Sequence, residues 1–207
     1  MSKGQLYIFS GPSGSGKDTV LKQLLSGRED VKLSISSITR PMRVGEVEGE
    51  KYNFISREKF EQMLKNDELL EHNVYVGNYY GTPKKPVEQW CEQGYDVILE
   101  IDVNGALKVM EKRPDAISVF IMPPSMSVLH QRLSGRGTED EETVKSRLKI
   151  AVEEISKAVN YDYIIVNDTV EQAVKDFDAI IRANALLKDK MENLIYEVEQ
   201  DAESFNW

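Results

Sequence analysis

The chain has 207 residues, of which 41% are hydrophobic and 29% are charged, a composition that excludes a disordered chain and fits one folded domain. Its 26 Lys and Arg residues stand against 35 Asp and Glu, so the net charge of −9 argues against general binding to nucleic acid or to an anionic membrane. The single cysteine, Cys91, cannot form an internal disulfide. The apolar run near the N terminus is too short for a signal peptide or a membrane span, so we expect a cytoplasmic protein.

Short apolar segments alternate with helical patterns along the chain. We predict strands at 6–9, 31–36, 97–101, 117–122 and 163–166, and helices at 19–25, 103–113, 125–133, 141–159 and from Val170 to about Glu199. Several of these strands are apolar nearly throughout, which is typical of parallel strands covered on both faces. The alternation predicts an α/β fold, with an open five-stranded parallel sheet and helices on both faces.

The alternation is interrupted between about residues 37 and 93. A polar loop precedes a predicted helix at 56–66 and a hairpin whose turn we place at Gly77-Asn78. Thr82-Pro83 is typical of a helix cap and first residue, and Gly94 of a helix end. We therefore predict a small α+β insertion at 37–93 and, from the polar segment after residue 133, a helical lid at 126–157. The core is expected at 1–36, 94–125 and 158–207, and the recognisable domain at 4–184.

A glycine-rich loop follows the first predicted strand and precedes the first helix. It reads G-x-x-x-x-G-K, in which backbone N–H groups converge on phosphate oxygens and the lysine adds positive charge. An ordinary glycine-rich turn is the alternative, which the flanking strand and helix disfavour. The pattern predicts a nucleoside triphosphate site formed by Gly11, Pro12, Ser13, Gly14, Ser15, Gly16, Lys17, Asp18 and Thr19.

Asp18 departs from this pattern, because a Ser or Thr that touches magnesium usually follows the lysine. A carboxylate in the first helical turn gains from the helix dipole, which is a purely structural reason for its presence. Hard cations also favour carboxylate and water oxygens. We predict that Asp18 points toward the hydration shell of Mg²⁺, or else toward solvent, and does not contact phosphate.

Further motifs follow the loop in a fixed order. They are Ser34 to Glu46 with Gly49 to Phe54, Leu69 to His72, Tyr79 to Pro83, Val97 to Gly105 and Arg136 to Glu139. In this combination the chain resembles the guanylate kinase family from about Gly4 to Leu186. The resemblance implies the phosphate-loop nucleoside monophosphate kinase fold and transfer of the γ-phosphate of ATP, bound with Mg²⁺, to GMP.

The inserted segment carries a predicted anion site. Arg40 and Arg43 are placed to fork around a doubly charged phosphate, and Tyr52 and Tyr80 can donate their phenolic O–H groups to it. For Tyr79 we favour hairpin packing. The resemblance implies that the two arginines and the two tyrosines bind the GMP phosphate, and that Ser36 lies at a matching contact position.

Base selectivity is predicted from Glu71 and Thr82. One carboxylate can accept both the N1–H and the N2–H₂ of guanine, whereas adenine offers no such donor pair. Thr82 can donate to guanine O6.

Glu100 and Asp102 are predicted to share one strand face at its carboxyl end. The resemblance implies that Asp102 lies near the GMP ribose and the metal waters, and Glu100 near the acceptor nucleotide.

Three arginines in and around the polar segment are predicted to supply charge when the lid closes, since phosphoryl transfer needs cations at the transferring group. They are Arg132, Arg136 and Arg147, which with Lys17 and Arg40 form the predicted catalytic set. Ordinary surface arginines on amphipathic helices are the alternative. Asn167 matches the place where the family holds adenine.

The sequence thus predicts an ATP:GMP phosphotransferase, monomeric or homodimeric, without a nucleic-acid polymer or membrane partner. One alternative is a guanylate-kinase-like binding module without useful catalysis, which intact Lys17, Arg40 and Glu71 oppose. Another is a kinase of the same shape with a different phosphorylated acceptor. Two local departures from the family pattern are Ile38 in place of threonine and Asp140 in place of serine.

Overall fold

A computed structural model describes residues 3–135 and 140–205. Its strands are Leu6–Ser10 (β1), Val31–Leu33 (β2), Ser36–Ile38 (β3), Tyr52–Phe54 (β4), Leu69–Tyr75 (β5), Asn78–Pro83 (β6), Asp96–Glu100 (β7), Ile117–Met122 (β8) and Tyr163–Val166 (β9). Its α-helices are Lys17–Ser26 (α1), Arg57–Lys65 (α2), Lys84–Glu92 (α3), Val103–Lys112 (α4), Met126–Ser134 (α5), Glu141–Ser156 (α6), Val170–Ala185 (α7) and Lys188–Ser204 (α8). A 3₁₀ helix, Lys157–Asn160, continues α6.

The larger sheet has five parallel strands in the order β2-β7-β1-β8-β9, which confirms the predicted α/β class. Successive residues of β1 enter opposite apolar layers, as the period of a strand requires. Leu6 and Ile8 pack in a layer with α3 and α4, whereas Tyr7 and Phe9 pack in a layer with α1 and α7. Helices on both faces explain why β1 is buried throughout.

A smaller sheet, with strand order β4-β3-β6-β5, is formed within residues 36–83. Helix α2 covers it through Phe60, which is fully buried and stacks on Tyr79 at 5.0 Å between ring centroids. The packing interpretation of Tyr79 agrees with this contact. Ile38 is also fully buried and pairs with Tyr80, so its apolar side chain fits the place that it occupies.

Two predictions, one just before the inserted segment and one within it, were wrong in detail. The strand predicted at 31–36 is two strands, β2 in the larger sheet and β3 in the smaller one. The hairpin turn is Val76-Gly77, with φ of 47° and 74°, because Tyr75 pairs with Asn78. A tight turn of this kind needs positive φ at both central residues. Cross-strand pairing therefore fixes the turn one residue earlier than the sequence indicates.

Helix ends also differ from prediction. Helix α3 begins at Lys84 with Pro83 as its cap, because Thr82 still belongs to β6. The predicted helix from Val170 to about Glu199 is two helices, and only α7 buries side chains. Asp140 caps α6 by accepting a hydrogen bond from the Thr143 N–H at 2.7 Å, a task that serine also performs. None of the helices in the described ranges is long and apolar enough to cross a membrane.

Candidate active site

The glycine-rich loop connects β1 to α1 at the carboxyl edge of the larger sheet. Lys17 folds back over it, and Nζ donates to the carbonyls of Gly11 at 2.6 Å and Pro12 at 3.2 Å. Burial lowers the pKa of Lys17, and the negative charge of Glu100 opposes that effect. Gly16 caps α1 at φ 94°, where a Cβ would come within 2.3 Å of the Asn167 amide nitrogen. Glycine is therefore required at Gly16, and the loop presents its lysine at the sheet edge.

Asn167 and Arg132 hold the loop from the side. The Asn167 amide donates to the Ser15 carbonyl at 2.7 Å, and Arg132 Nη2 donates to the Asn167 carbonyl at 2.8 Å. Asn167 is buried, so in this structure its side chain supports the loop. Its predicted contact with adenine remains a prediction.

Helix α6 also reaches the loop. Arg147 donates to the Ser13 hydroxyl at 2.5 Å. Glu154 on the same helix is close enough to Lys17 for its positive charge to lower the pKa of the carboxyl, although burial raises it more strongly. The structure thus brings Arg132 and Arg147 to the phosphate loop, while Arg136 lies outside the described residues.

The predicted anion site lies between the smaller sheet and the loop after β3. Arg40 donates to both carboxylate oxygens of Glu46, at 2.7 and 2.5 Å, which lowers the pKa of Glu46 to about 2. The guanidinium lies 5.4 Å from the centroid of the Tyr52 ring, and Tyr80 is near enough that, after Glu46, it helps to raise the pKa of Arg40. Arg40, Tyr52 and Tyr80 are therefore neighbours, as predicted.

Other residues of this group are less closely associated. Arg43 is exposed, and its backbone N–H donates to Glu46 at 2.7 Å. Ser36, at the start of β3, donates its backbone N–H to the Lys51 carbonyl at 3.3 Å. Sequence reasoning missed Glu46. Its signal was a carboxylate three residues after Arg43, in a loop that was expected to hold an anion.

Glu71 and Thr82 form a buried polar pair on adjacent strands. Thr82 Oγ1 donates to Glu71 Oε1 at 2.9 Å, and both side chains are buried. Burial, assisted by the charge of Asp102, raises the pKa of Glu71 to about 7. The hydroxyl proton that we predicted for guanine O6 is thus used by the carboxylate here. Donation to O6 requires the hydroxyl to rotate.

Glu100 and Asp102 do not share a strand face, which corrects the sequence-based prediction. Strand β7 ends at Glu100, and Asp102 is the N-cap of α4, where it accepts from the N–H groups of Asn104 and Gly105 at 2.9 Å each. The helix cap pulls Asp102 out of the strand. Asn73 of the smaller sheet donates to its other oxygen at 3.0 Å, so Asp102 still lies where the two sheets meet.

Asp18 forms an ion pair that neither predicted orientation included. Lys51, just before β4, donates to Asp18 and lies 3.1 Å from Glu100 Oε2. Burial acts to raise the pKa of Asp18, but the hydrogen bond from Lys51 holds it below its ordinary value. Sequence reasoning missed Lys51, whose one signal was its place directly before Tyr52. Thr19 is exposed on the next position of α1.

The arrangement suits phosphoryl transfer. Cations and loop N–H groups gather at one sheet edge, and a separate buried carboxylate is available for hydrogen-bond donors. In the described part of the chain, no three His, Cys, Asp or Glu residues are grouped to hold a metal ion by themselves. Asp18 and Glu100 share one cation, Lys51, so their oxygens suit Mg²⁺ held jointly with nucleotide phosphates and water.

Comparison with known proteins agrees with this geometry. The family model described as "Guanylate kinase" matches residues 3–184. The guanylate kinase of Clostridium perfringens strain 13 is 46% identical over 200 residues, which are 97% of this chain and 93% of the relative. That of Carboxydothermus hydrogenoformans is 48% identical over 186 residues, or 90% and 91% of the two chains. The crystal structure of guanylate kinase from Anaplasma phagocytophilum superposes with a TM-score of 0.73 at 38% identity, covering 90% of this chain and 89% of the other.

Proposed function

Because the chain belongs to the guanylate kinase family, we propose that it transfers the γ-phosphate of ATP to GMP and yields ADP and GDP. The observation that carries this proposal is the buried Glu71 carboxylate, which accepts a hydrogen bond from the Thr82 hydroxyl. A carboxylate in that position is an acceptor for the adjacent N1–H and N2–H₂ donors of guanine. A site built around such hydrogen bonds rejects a base that leaves the carboxylate unpaired.

On the donor side, the N–H groups of the glycine-rich loop and the Lys17 ammonium hold the ATP phosphates. Asp18 and Glu100 are the residues that would hold Mg²⁺, together with phosphate oxygens and water. The ion supplies positive charge that draws electron density from the transferring phosphate. Asn167 is assigned to the adenine side, where its amide already supports the loop through Ser15.

On the acceptor side, Arg40, Tyr52 and Tyr80 surround the GMP phosphate, with Ser36 and Arg43 as further contacts. Arg40 must exchange Glu46 for that phosphate, and both anions accept the same pair of donors. Glu71 and Thr82 receive the base. Asp102 is assigned to the ribose, close to the Asn73 amide that orients it.

The transfer requires no general base, because the attacking GMP phosphate oxygen is already ionised. Arg40 and Lys17 position the two phosphates and offset their mutual repulsion, while Arg132, Arg136 and Arg147 add charge from the lid segment. Catalysis by this chain is therefore positioning and electrostatic stabilisation. We assign the reaction to GMP recycling in purine nucleotide metabolism and, since the sequence holds one cysteine, to a reducing cytoplasm.

An acceptor panel tests the proposal. Purified protein is incubated with Mg-ATP and GMP, AMP, CMP or UMP, and ADP release and the nucleoside diphosphate are both quantified. Turnover with GMP and not with AMP supports it. Absence of turnover in a folded protein that binds GMP overturns it in favour of a binding module. Turnover with another acceptor in place of GMP overturns the role of Glu71 and Thr82.

A further inference from the structure

Lys51 links the smaller sheet to two carboxylates beside the larger sheet. Its ammonium contacts Asp18, in the first turn of α1, and lies 3.1 Å from Glu100 at the end of β7. Asp18 belongs to the proposed ATP site, and Glu100 ends a strand of the larger sheet. Lys51 itself precedes β4 in the smaller sheet, and its carbonyl accepts a hydrogen bond from Ser36.

This contact differs from an ordinary surface ion pair. Asp18 is 73% exposed and Lys51 42% exposed, and pairs of that kind often contribute little to stability. Glu100, however, is only 12% exposed, so its charge is screened less by water. One ammonium therefore serves a partly desolvated carboxylate and a second carboxylate next to the phosphate loop.

The two carboxylates would repel a triphosphate bound to the glycine-rich loop. Asp18 directly follows Lys17, so its negative charge lies beside the place where phosphates bind. Like charges a few ångströms apart repel even at an effective dielectric of about 20. Some cation must offset that repulsion, and Lys51 is the cation that the structure shows in contact with both groups.

We propose that Lys51 is a positioning residue of the donor site, a counter-cation built into the smaller sheet that neutralises Asp18 and Glu100 so that ATP can bind beside them. The inference rests on the proposed donor site for ATP. Lys51 and Mg²⁺ offset the same two carboxylates, and each therefore compensates in part for loss of the other. Removal of the Lys51 charge should therefore weaken ATP binding most when Mg²⁺ is absent.

The test measures ATP affinity by titration calorimetry in EDTA and in excess Mg²⁺, without GMP and therefore without turnover. We expect Lys51→Met to weaken ATP binding about tenfold in EDTA, and less than about threefold with Mg²⁺. Lys84→Met is the matched control, since Lys84 pairs with Asp67 outside this site. Equal losses with and without Mg²⁺, or an equal loss in the Lys84 variant, would overturn the proposal.

Two further variants separate charge from packing. In an Asp18→Asn background, Lys51→Met should have a clearly smaller effect in EDTA, because one of the charges that it offsets is gone. Lys51→Arg retains the charge and should retain ATP affinity in EDTA. If Lys51→Arg is as weak as Lys51→Met, or if the Asp18 background changes nothing, the counter-cation role is wrong. Circular dichroism confirms that each variant is folded.

The result is independent of the acceptor. A protein that binds ATP as described but does not phosphorylate GMP contradicts the proposed function and leaves the role of Lys51 standing. A protein that phosphorylates GMP and shows no Mg²⁺-dependent difference for Lys51→Met contradicts this inference alone.

Discussion

The Thr82 hydroxyl donates a hydrogen bond to Glu71 Oε1 at 2.9 Å, and no more than 5% of either residue is exposed. A carboxylate in such surroundings resists ionisation. Burial first, and then the nearby charge of Asp102, raise its pKa from 4.5 to about 7. The group that we assign to guanine is therefore only partly ionised at neutral pH until a ligand supplies its donors.

The raised pKa of Glu71 should make stability depend on pH. Between pH 4.5 and about 7 the folded protein binds a proton that the unfolded chain has released, so the free energy of unfolding falls as pH rises through that window. Glu71→Gln removes this effect. We expect the free energy of unfolding of the variant to exceed that of wild type by on the order of 3 kcal/mol at pH 8, with the difference vanishing near pH 4.5. Urea unfolding at three pH values measures it, with the half-exposed Glu61→Gln as control. Equal pH profiles for wild type and Glu71→Gln would contradict the prediction.

Gly105 should be needed for GMP affinity more than for stability. A Cβ at this position of α4 would lie 3.1 Å from Glu71 Oε2, so the carboxylate must shift. Alanine is nevertheless the better helix former, by about 1 kcal/mol. We expect Gly105→Ala to keep or raise the melting temperature while it weakens GMP binding about tenfold and leaves ATP binding unchanged. Unchanged GMP affinity by calorimetry would show that Glu71 does not receive the base.

Replacement of Arg40 even by lysine should raise KM for GMP. Its two terminal nitrogens fork around both oxygens of Glu46, a geometry that an ammonium cannot reproduce. Loss of one charge-assisted hydrogen bond predicts a rise of about 10- to 100-fold in KM for GMP in Arg40→Lys. Steady-state kinetics at saturating ATP measure this rise. Arg57→Lys, at an exposed guanidinium of α2 that pairs with Glu61, serves as control and should change nothing.

Lys17→Ala should abolish most turnover without unfolding the protein. Its ammonium donates to the carbonyls of Gly11 and Pro12, and its side chain belongs to neither apolar layer of the larger sheet, so the core stays intact. Loss of one charged donor to a transferring phosphate predicts a fall in kcat of roughly 10²- to 10³-fold. Lys22→Ala, an exposed lysine on the same helix, should retain full activity. Near-normal kcat in a folded Lys17 variant would remove the loop from the mechanism.

Helix α8 should be dispensable for the fold. It contains no buried residue, whereas α7 buries Phe177, Ile180 and Ile181 against the larger sheet. A chain that ends at Leu187 should therefore unfold within about 0.5 kcal/mol of the full chain, since surface changes rarely exceed that amount. Thermal and urea unfolding of both chains provide the comparison. A loss several times larger would mean that α8 covers apolar surface in solution.

The parts of the fold that the sequence predicted well are those fixed by local pattern. The apolar runs at 117–122 and 163–166 became strands with the same bounds, and Thr169 and Gly94 mark a helix start and a helix end. Prediction failed where contacts between distant parts of the chain determine the ends of strands and helices. Nothing local indicates that the chain leaves one sheet after Leu33 and enters another at Ser36, or that α7 ends before Leu186.

The candidate site shows the same division. Arg40, Tyr52 and Tyr80 were expected to be neighbours, because a recognisable motif carries them, and the structure brings them together. Two other side-chain contacts of the site were not predicted from the sequence. Lys51 and Asp18 are 33 residues apart, and Thr82 and Glu71 are 11 apart on paired strands. Such contacts depend on how the two sheets are arranged, which single-sequence patterns do not specify.

The smaller sheet belongs to the connection between two neighbouring strands of the larger one. Strands β2 and β7 pair directly, and the chain between them makes one crossover through α3, with residues 36–83 inserted before that helix. An insertion of this kind interrupts no strand of the larger sheet. For protein engineering, the segment is therefore an exchangeable cassette, and a substitute loop between Ser34 and Lys84 is a route to new acceptors on an unchanged ATP scaffold. A successful substitute must keep a cation for Asp18 and an amide for Asp102.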